Sequence, residues 1–418
     1  RGGAEFARLG LARADLIGAS RLSNPTLGGA RLTADGASLT TINFALGLGD
    51  LLLLPARKRL SAADFQRTQR VVAQQMLVLV ADVETAWYAA VSARQVATLR
   101  DAVANAASLS AELAQRFFDA GNIIELQLAS ERAAASQARI DAARAALDAR
   151  RVRLALLRTL GVATEAAWKV PDTLPQPVAT PSDAATLLAL AERQRADLDA
   201  ARREVALLED ALGVARRWRL LGELRIGGER ERETPGQALS GPTLELALPI
   251  FDQGQAGIAR AGAQLDASRA ALRDLELAVG EDVRVALDQL DTARIAVAEF
   301  EKALVPAQQA VVAQQQLRVN FMLIGQFELL LAKRQEYDAY QGWFEALRDF
   351  WVAHTDLQRA IGGALPGSPT ETKPALGPQE LPGMPAEPDL YRNAPRAGAP
   401  DADAAPEAAA VERKEPQP

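Results

Sequence analysis

The side chains that carry most enzyme chemistry are nearly missing from this chain. There is no cysteine, which removes thiolate nucleophiles, thiolate metal sites and disulfides together. The single histidine, His354, closes an aromatic-rich helical run, where a packed imidazole is expected rather than a metal ligand. Three methionines are too few to build a thioether path for Cu(I). No glycine loop of the phosphate-cradling kind and no Gly-x-Ser-x-Gly elbow occurs. No catalytic residue, cofactor or resident metal is therefore expected, and the chain reads as a non-enzyme. A net charge of −6 without a dense Lys/Arg run argues against nucleic acid as a partner. What remains is charge displayed on a scaffold: Glu245 on the slim side of a strand pattern, and Glu328 just past a break between two helices.

The scaffold is mostly long helix. From Ala56 to Leu160 there is no proline and one glycine, Gly121. The seam Val96, Leu99, Val103, Ala106, Ser110, Leu113, Phe117 advances by alternating steps of three and four, a heptad pattern. A helix from Leu60 to Phe118 would be roughly 90 Å long. Gly121-Asn122 tolerates positive φ and makes the reversal, and a second helix returns as far as Gly161. The same layout recurs at an offset of 201: Gly121 falls on Met322, Gln127 on Glu328 and Arg132 on Lys333. There the outgoing seam is Ile258, Ala261, Leu265, Ser268, Leu272, Leu275, Val279, and Pro306 is expected to disturb it locally. The return seam is Tyr337, Tyr340, Phe344, Leu347, Trp351, His354.

Short strand patterns precede both helix hairpins. Leu27–Thr33 is a weak strand, and Ile42, Phe44, Leu46 and Leu48 alternate with small residues. Leu220–Glu229 and Thr243–Phe251 read as a second pair, with Leu244, Leu246, Leu248 and Ile250 on one face and Glu245 on the other. The polar stretch between them is expected to be an exposed loop. Two tandem units follow. Residues 1–182 hold a helix fragment, a β-hairpin (25–50), a long helix hairpin (56–160) and a proline-rich connector (161–182). Residues 183–362 hold a helix capped by Ser182 (183–217), a β-hairpin (219–251) and a second helix hairpin (252–361). Residues 363–418 hold 12 of the 22 prolines and are expected to be a disordered tail. No run of roughly 18 apolar residues appears, so no transmembrane helix is expected. The chain opens at Arg1 in what reads as mid-helix, and it is expected to be a fragment or processed form.

Four strands per chain cannot close a sheet, and their outer face is apolar. The pattern that satisfies both facts is a barrel in lipid around a wet lumen, shared by several chains. An elongated coiled-coil scaffold or a periplasmic adaptor is the competing reading. An adaptor would have one helical hairpin between β-rich domains, whereas two hairpins are expected here.

Three kinds of segment carry a resemblance: SNPTL (Ser23–Leu27), the ARADL-type helix segments (Ala12–Leu16, with RADLDAA at Arg195–Ala201), and LPIFDQGQA (Leu248–Ala256). With them the chain resembles the TolC-like outer-membrane efflux family from Ala12 to Gly362. GERERE and NFMLIGQFELLLAKR are similar to a subgroup associated with copper and other heavy-metal efflux. The resemblance implies a mainly α fold with a small β part. It implies a homotrimer with a 12-stranded barrel in outer-membrane lipid and an α-helical tunnel in the periplasm. It also implies a periplasmic adaptor and an inner-membrane pump as partners, with no catalysis by the duct. Ile42, Phe44, Leu46, Leu244, Leu246 and Leu248 would face lipid, and Glu245 the lumen. Gly121, Asn122, Met322 and Gly325 would form the reversals and adaptor-docking tips. Glu328 would ring the pore gate and draw cations. The rest of the family's polar latch is not reproduced, since its other positions fall on Gln127, Leu331, Val319 and Ile324.

Overall fold

The computed structural model describes residues 2–34, 37–163, 169–178, 183–219, 224–234, 236–365 and 375. Ser182 and most of the proline-rich tail lie outside them. Helix α1 (Gly2–Ala19) ends ahead of Asn24-Pro25, where proline disfavours the helical conformation of the preceding residue. Strands β1 (Thr26–Ala34) and β2 (Ala37–Gly47) then form an antiparallel hairpin. Helix α2 (Leu48–Asp119) follows without a break. Its 72 residues span roughly 110 Å at 1.5 Å per residue.

Two expectations fail at this junction. Leu48 belongs to the helix and not to the strand, because the β2 ladder ends with Gly47 opposite Arg225. Pro55 lies inside the helix, not ahead of it, and leaves the Leu51 carbonyl without its usual N–H partner. The same helix also contains a stretch long and apolar enough to cross a membrane, contrary to the sequence expectation. That stretch is apolar on average but interrupted by polar residues, so it contains no unbroken apolar run. Only 22% of it is buried, and α2 packs lengthwise in a helical body.

Helix α3 (Glu125–Leu160) returns along α2 and stops at Gly161, whose φ of +72° is left-handed. The helix expected over 183–217 is two helices, α4 (Ala184–Gln194) and α5 (Ala196–Arg217), hinged at Arg195, which adopts extended backbone. Next come β3 (Leu224–Thr234) and β4 (Ala238–Leu246). The expected polar loop is therefore mostly strand. Its period-two signal lies in charge, with Glu229, Glu231 and Glu233 alternating with Arg230 and Arg232, and hydropathy alone misses it.

Leu248 and Ile250 lie past the end of β4. The Ile250 N–H donates to the Leu248 carbonyl at 2.9 Å, closing a tight three-residue turn about Pro249, which has no N–H for a ladder. The Gly254 N–H then donates to Asp252 Oδ1 at 2.8 Å and leads into helix α6 (Gln255–Glu299). LPIFDQGQA is thus a strand exit, two local turns and a helix start.

A π-helical turn (Phe300–Leu304) joins α6 to α7 (Val305–Asn320). It widens the helix one turn ahead of Pro306, with the Val305 N–H bonded to the Phe300 carbonyl. The Phe300 ring rests on Gly342, where a Cβ would come within 2.6 Å of it. Helix α8 (Gln326–Ile361) runs back along α6 and α7.

The core lies where α8, α6, α4 and the middle of α2 meet. Every residue of the α8 aromatic seam is buried. Tyr88 stacks on Trp351 with ring centroids 5.4 Å apart. Trp351 Nε1 donates to the Pro175 carbonyl at 2.8 Å, so the connector is tied into the core. Gly363–Pro418 is not wholly free of structure: Leu365 and Ala375 are buried, and the Ala375 N–H donates to the Leu174 carbonyl at 2.7 Å.

Candidate pore surfaces

The four strands form one antiparallel sheet in the order β1-β2-β3-β4, leaving β1 and β4 as unpaired edges. Directly opposed residues share a face, so the registers sort the side chains. Leu27 opposes Phe44, Leu46 opposes Ile226, Ile226 opposes Leu244, and Leu224 opposes Leu246. Of the expected lipid-facing residues, Ile42, Phe44, Leu46, Leu244 and Leu246 therefore lie on one face. Leu248 does not belong to it, since the strand has already ended. Leu244 is 70% exposed and Phe44 48%, so this apolar face is uncovered in the single chain.

The opposite face is acidic along most of its length and carries Leu32, Leu39 and Leu239 toward the turn-connected ends. Asn43 opposes Glu229, Thr41 opposes Glu231, and Arg225 opposes Glu245 with 3.8 Å between their charged atoms. It is also slim: a Cβ on Gly28 would stand 2.2 Å from Asn43 Oδ1, and one on Gly227 only 2.1 Å from the Phe44 carbonyl. The sheet therefore has one greasy side and one acidic side.

At the other end of the helices lie the two reversals. The Gly121 N–H donates to the Phe118 carbonyl and Asn122 to Phe117, at 2.9 and 2.8 Å. The Met322 N–H donates to Val319 and Leu323 to Arg318, at 2.8 and 2.9 Å. Both are the paired cap hydrogen bonds of a helix closed by a left-handed residue. Gly121 adopts φ +72° without cost, whereas Met322 adopts φ +56° with a Cβ and is 93% exposed. Asn122 is exposed beside Gly121 and is not itself the left-handed residue. Gly325 is the N-cap of α8, and Glu328 in the first turn lays its carboxylate back over it, 2.8 Å from where a Cβ would be. Glu328 is exposed, as is its counterpart Gln127. Phe117 and Phe327 meet edge-to-face between the two hairpins at 6.4 Å.

Two features of the site escaped sequence reasoning. Arg195 is only 8% exposed at the hinge between α4 and α5. Its guanidinium donates to Asp197 at 2.7 and 3.1 Å, to Asp282 at 2.9 Å and to the Ala360 carbonyl at 3.3 Å. Burial pulls its pKa down, but the two carboxylates outweigh that and raise it. Burial likewise pushes Asp197 up, and the Arg195 hydrogen bonds bring it below its usual value. The signal was the tetrapeptide RADL itself, but nothing in it announces burial. The second feature is Glu336, buried on α8 and 2.6 Å from Lys333 Nζ, which also stands over the Tyr337 ring. Lys333, Tyr337 and the Ser110–Glu131 hydrogen bond (2.7 Å) line a cavity of about 120 Å³ among α2, α3 and α8. His354 is buried against Phe350 and Trp351, which pushes its pKa down.

A two-faced four-stranded sheet joined to a long helical body defines the fold class. Solved structures with a similar fold include TolC-family outer-membrane channels. The CmeC outer-membrane channel of Campylobacter jejuni superposes with a TM-score of 0.72 at 16% identity, over 87% of this chain and 83% of that one. The open-state MtrE outer-membrane channel of Neisseria gonorrhoeae gives 0.70 at 18%, over 87% and 86%. CusC, whose structures concern folding and transmembrane channel formation, gives 0.71 at 16%, over 87% and 89%. No family model matches the sequence. No curated protein sequence matches it either. The shared property is the fold.

Proposed function

We propose that the chain is one protomer of a passive exit duct in the Gram-negative outer membrane. It would carry small molecules or metal ions handed over by an inner-membrane pump and a periplasmic adaptor. The observation that carries this reading is the open sheet, apolar on one face and acidic on the other, with both edges unpaired. Exposed edges and an uncovered apolar face are costly in water and are resolved when copies close a barrel in lipid. Three copies of a four-stranded sheet give a twelve-stranded barrel. Leu109, Leu147, Leu277 and Ile295 are exposed along the helical body and offer apolar contacts between neighbouring arms. The offset of 201 residues between the reversals supports two tandem units, 1–182 and 183–362, within each protomer. The likeness of GERERE and NFMLIGQFELLLAKR to the heavy-metal subgroup makes metal ions a cargo worth testing.

Glu328 becomes a ring of carboxylates at the tunnel tip, favouring cations, while Glu245 lines the barrel lumen. Gly121, Asn122, Met322 and Gly325 present the tips to the adaptor. A coiled-coil scaffold or an adaptor leaves the two-faced sheet without a purpose. Extraction tests the reading: the protein requires detergent, and an unheated gel gives a trimer-sized band that collapses on boiling. A monomer in the aqueous fraction overturns it. Glu328→Ala is expected to raise conductance and weaken cation preference while the trimer band persists. Unchanged selectivity would remove Glu328 from the pore.

A further inference from the structure

The strands also segregate charge in a way the duct itself does not use. Along β3 the alternation sends Glu229, Glu231 and Glu233 to the acidic face and Arg230 and Arg232 to the apolar one. Arg31 opposes Thr40, and Thr40 opposes Arg232, so two arginines stand in one row across three strands. Arg230 sits one row closer to the helices, opposite Ile42. Strand geometry separates Arg31 from Arg232 by about 10 Å and Arg230 from Arg232 by about 7 Å. All three are exposed, and among the described residues no carboxylate lies within ion-pair reach of them. On the same face β4 offers Ala238, Ser240, Pro242, Leu244 and Leu246, none of them charged. A neighbouring copy that closes the barrel through β4 therefore brings no acid to neutralise Arg31.

The level of this row decides what meets it. The strand ends that join helices carry Leu46, Ile226, Leu244 and Leu246, and the arginines stand toward the opposite, turn-connected ends. With the helices in the periplasm, the basic row emerges above the apolar band at the outer leaflet. Resting on the duct reading, we propose that Arg31, Arg230 and Arg232 form a docking site for the phosphate groups of the outer-leaflet glycolipid. Guanidinium forks suit phosphate oxygens, and the Leu and Phe rows beneath take the acyl chains.

The test uses the detergent-purified wild-type trimer, with diphosphorylated lipid A and dephosphorylated lipid A as probes. The wild type is expected to bind the diphosphorylated form at least about tenfold more tightly. The Arg31→Gln/Arg230→Gln/Arg232→Gln variant loses that preference, and the corresponding triple Lys variant keeps part of it. A wild type without the preference, or a Gln variant that retains it, overturns the proposal. So does inorganic phosphate binding as tightly as lipid A, which would make this a site for free anions. Should the Gln variant fail to assemble, the wild-type comparison of the two lipids and the Lys variant still decide the matter. Absence of any wild-type trimer band would instead sink the duct reading itself.

Discussion

The tetrapeptide Arg-Ala-Asp-Leu occurs twice, and the fold uses the copies differently. At Arg13–Leu16 it lies within the continuous helix α1, where Arg13 and Asp15 are exposed. At Arg195–Leu198 it breaks the chain between α4 and α5 and buries the arginine against Asp197, Asp282 and the end of α8. The letters are the same, but only the second copy has a neighbouring layer to clamp. Close to that clamp, Gly362 with φ +78° admits the Arg195 backbone at 2.8 Å from where a Cβ would sit. A motif therefore acquires its role from what surrounds it.

The largest effect that could break this comparison comes from removing the clamp. Arg195→Ala removes the guanidinium from Asp197, Asp282 and the Ala360 carbonyl, leaving Asp197 only the Leu198 N–H, and is expected to cost about 2 kcal/mol of stability. Arg13→Ala is expected to stay within about 0.5 kcal/mol. Thermal unfolding in detergent measures both, and equal losses would erase the distinction. A second, smaller pair sharpens the contrast between the reversals. Gly121→Ala imposes a Cβ on a left-handed residue and is expected to cost about 1 kcal/mol, whereas Met322→Gly relieves one and gains about as much. Losses at both sites would mean that the Met322 side chain makes contacts worth more than its backbone strain.

The smallest expected effect is a pH dependence. His354 is held below its ordinary pKa by burial. The unfolded chain then binds the extra proton first, so this contribution is complete above about pH 6.5 and fades as the pH falls below it. Stability of wild type should fall more between pH 7 and pH 5 than that of His354→Leu. A parallel decline in both proteins would assign the acid sensitivity to other groups.

Much of the helical body was legible because heptad spacing survives without knowledge of partners. Leu99, Val103, Leu265, Val279 and the whole α8 seam are buried where the periodicity places them. The strands were half legible. β2 announces itself through alternating hydropathy, as does the start of β3, whereas β3 beyond Glu229 alternates only in charge and carries no hydropathic signal. Leu248 was misplaced because a tight turn about Pro249 continues the apolar spacing without a ladder. The hinge at Arg195 was hidden because nothing local breaks the helical pattern, and burial is set by α6 and α8 from far along the chain. The proposed roles of Glu328, Met322 and Gly325 depend on other copies of the chain, which a single sequence does not display.

The central claim is that the acidic face of the sheet encloses water while the greasy face meets lipid. The reversal potential of the purified protein in a planar bilayer under a KCl gradient tests it most directly. The account predicts a stable conductance with a cation-selective potential. A protein that forms no pore at all, or only an anion-selective one, would contradict it.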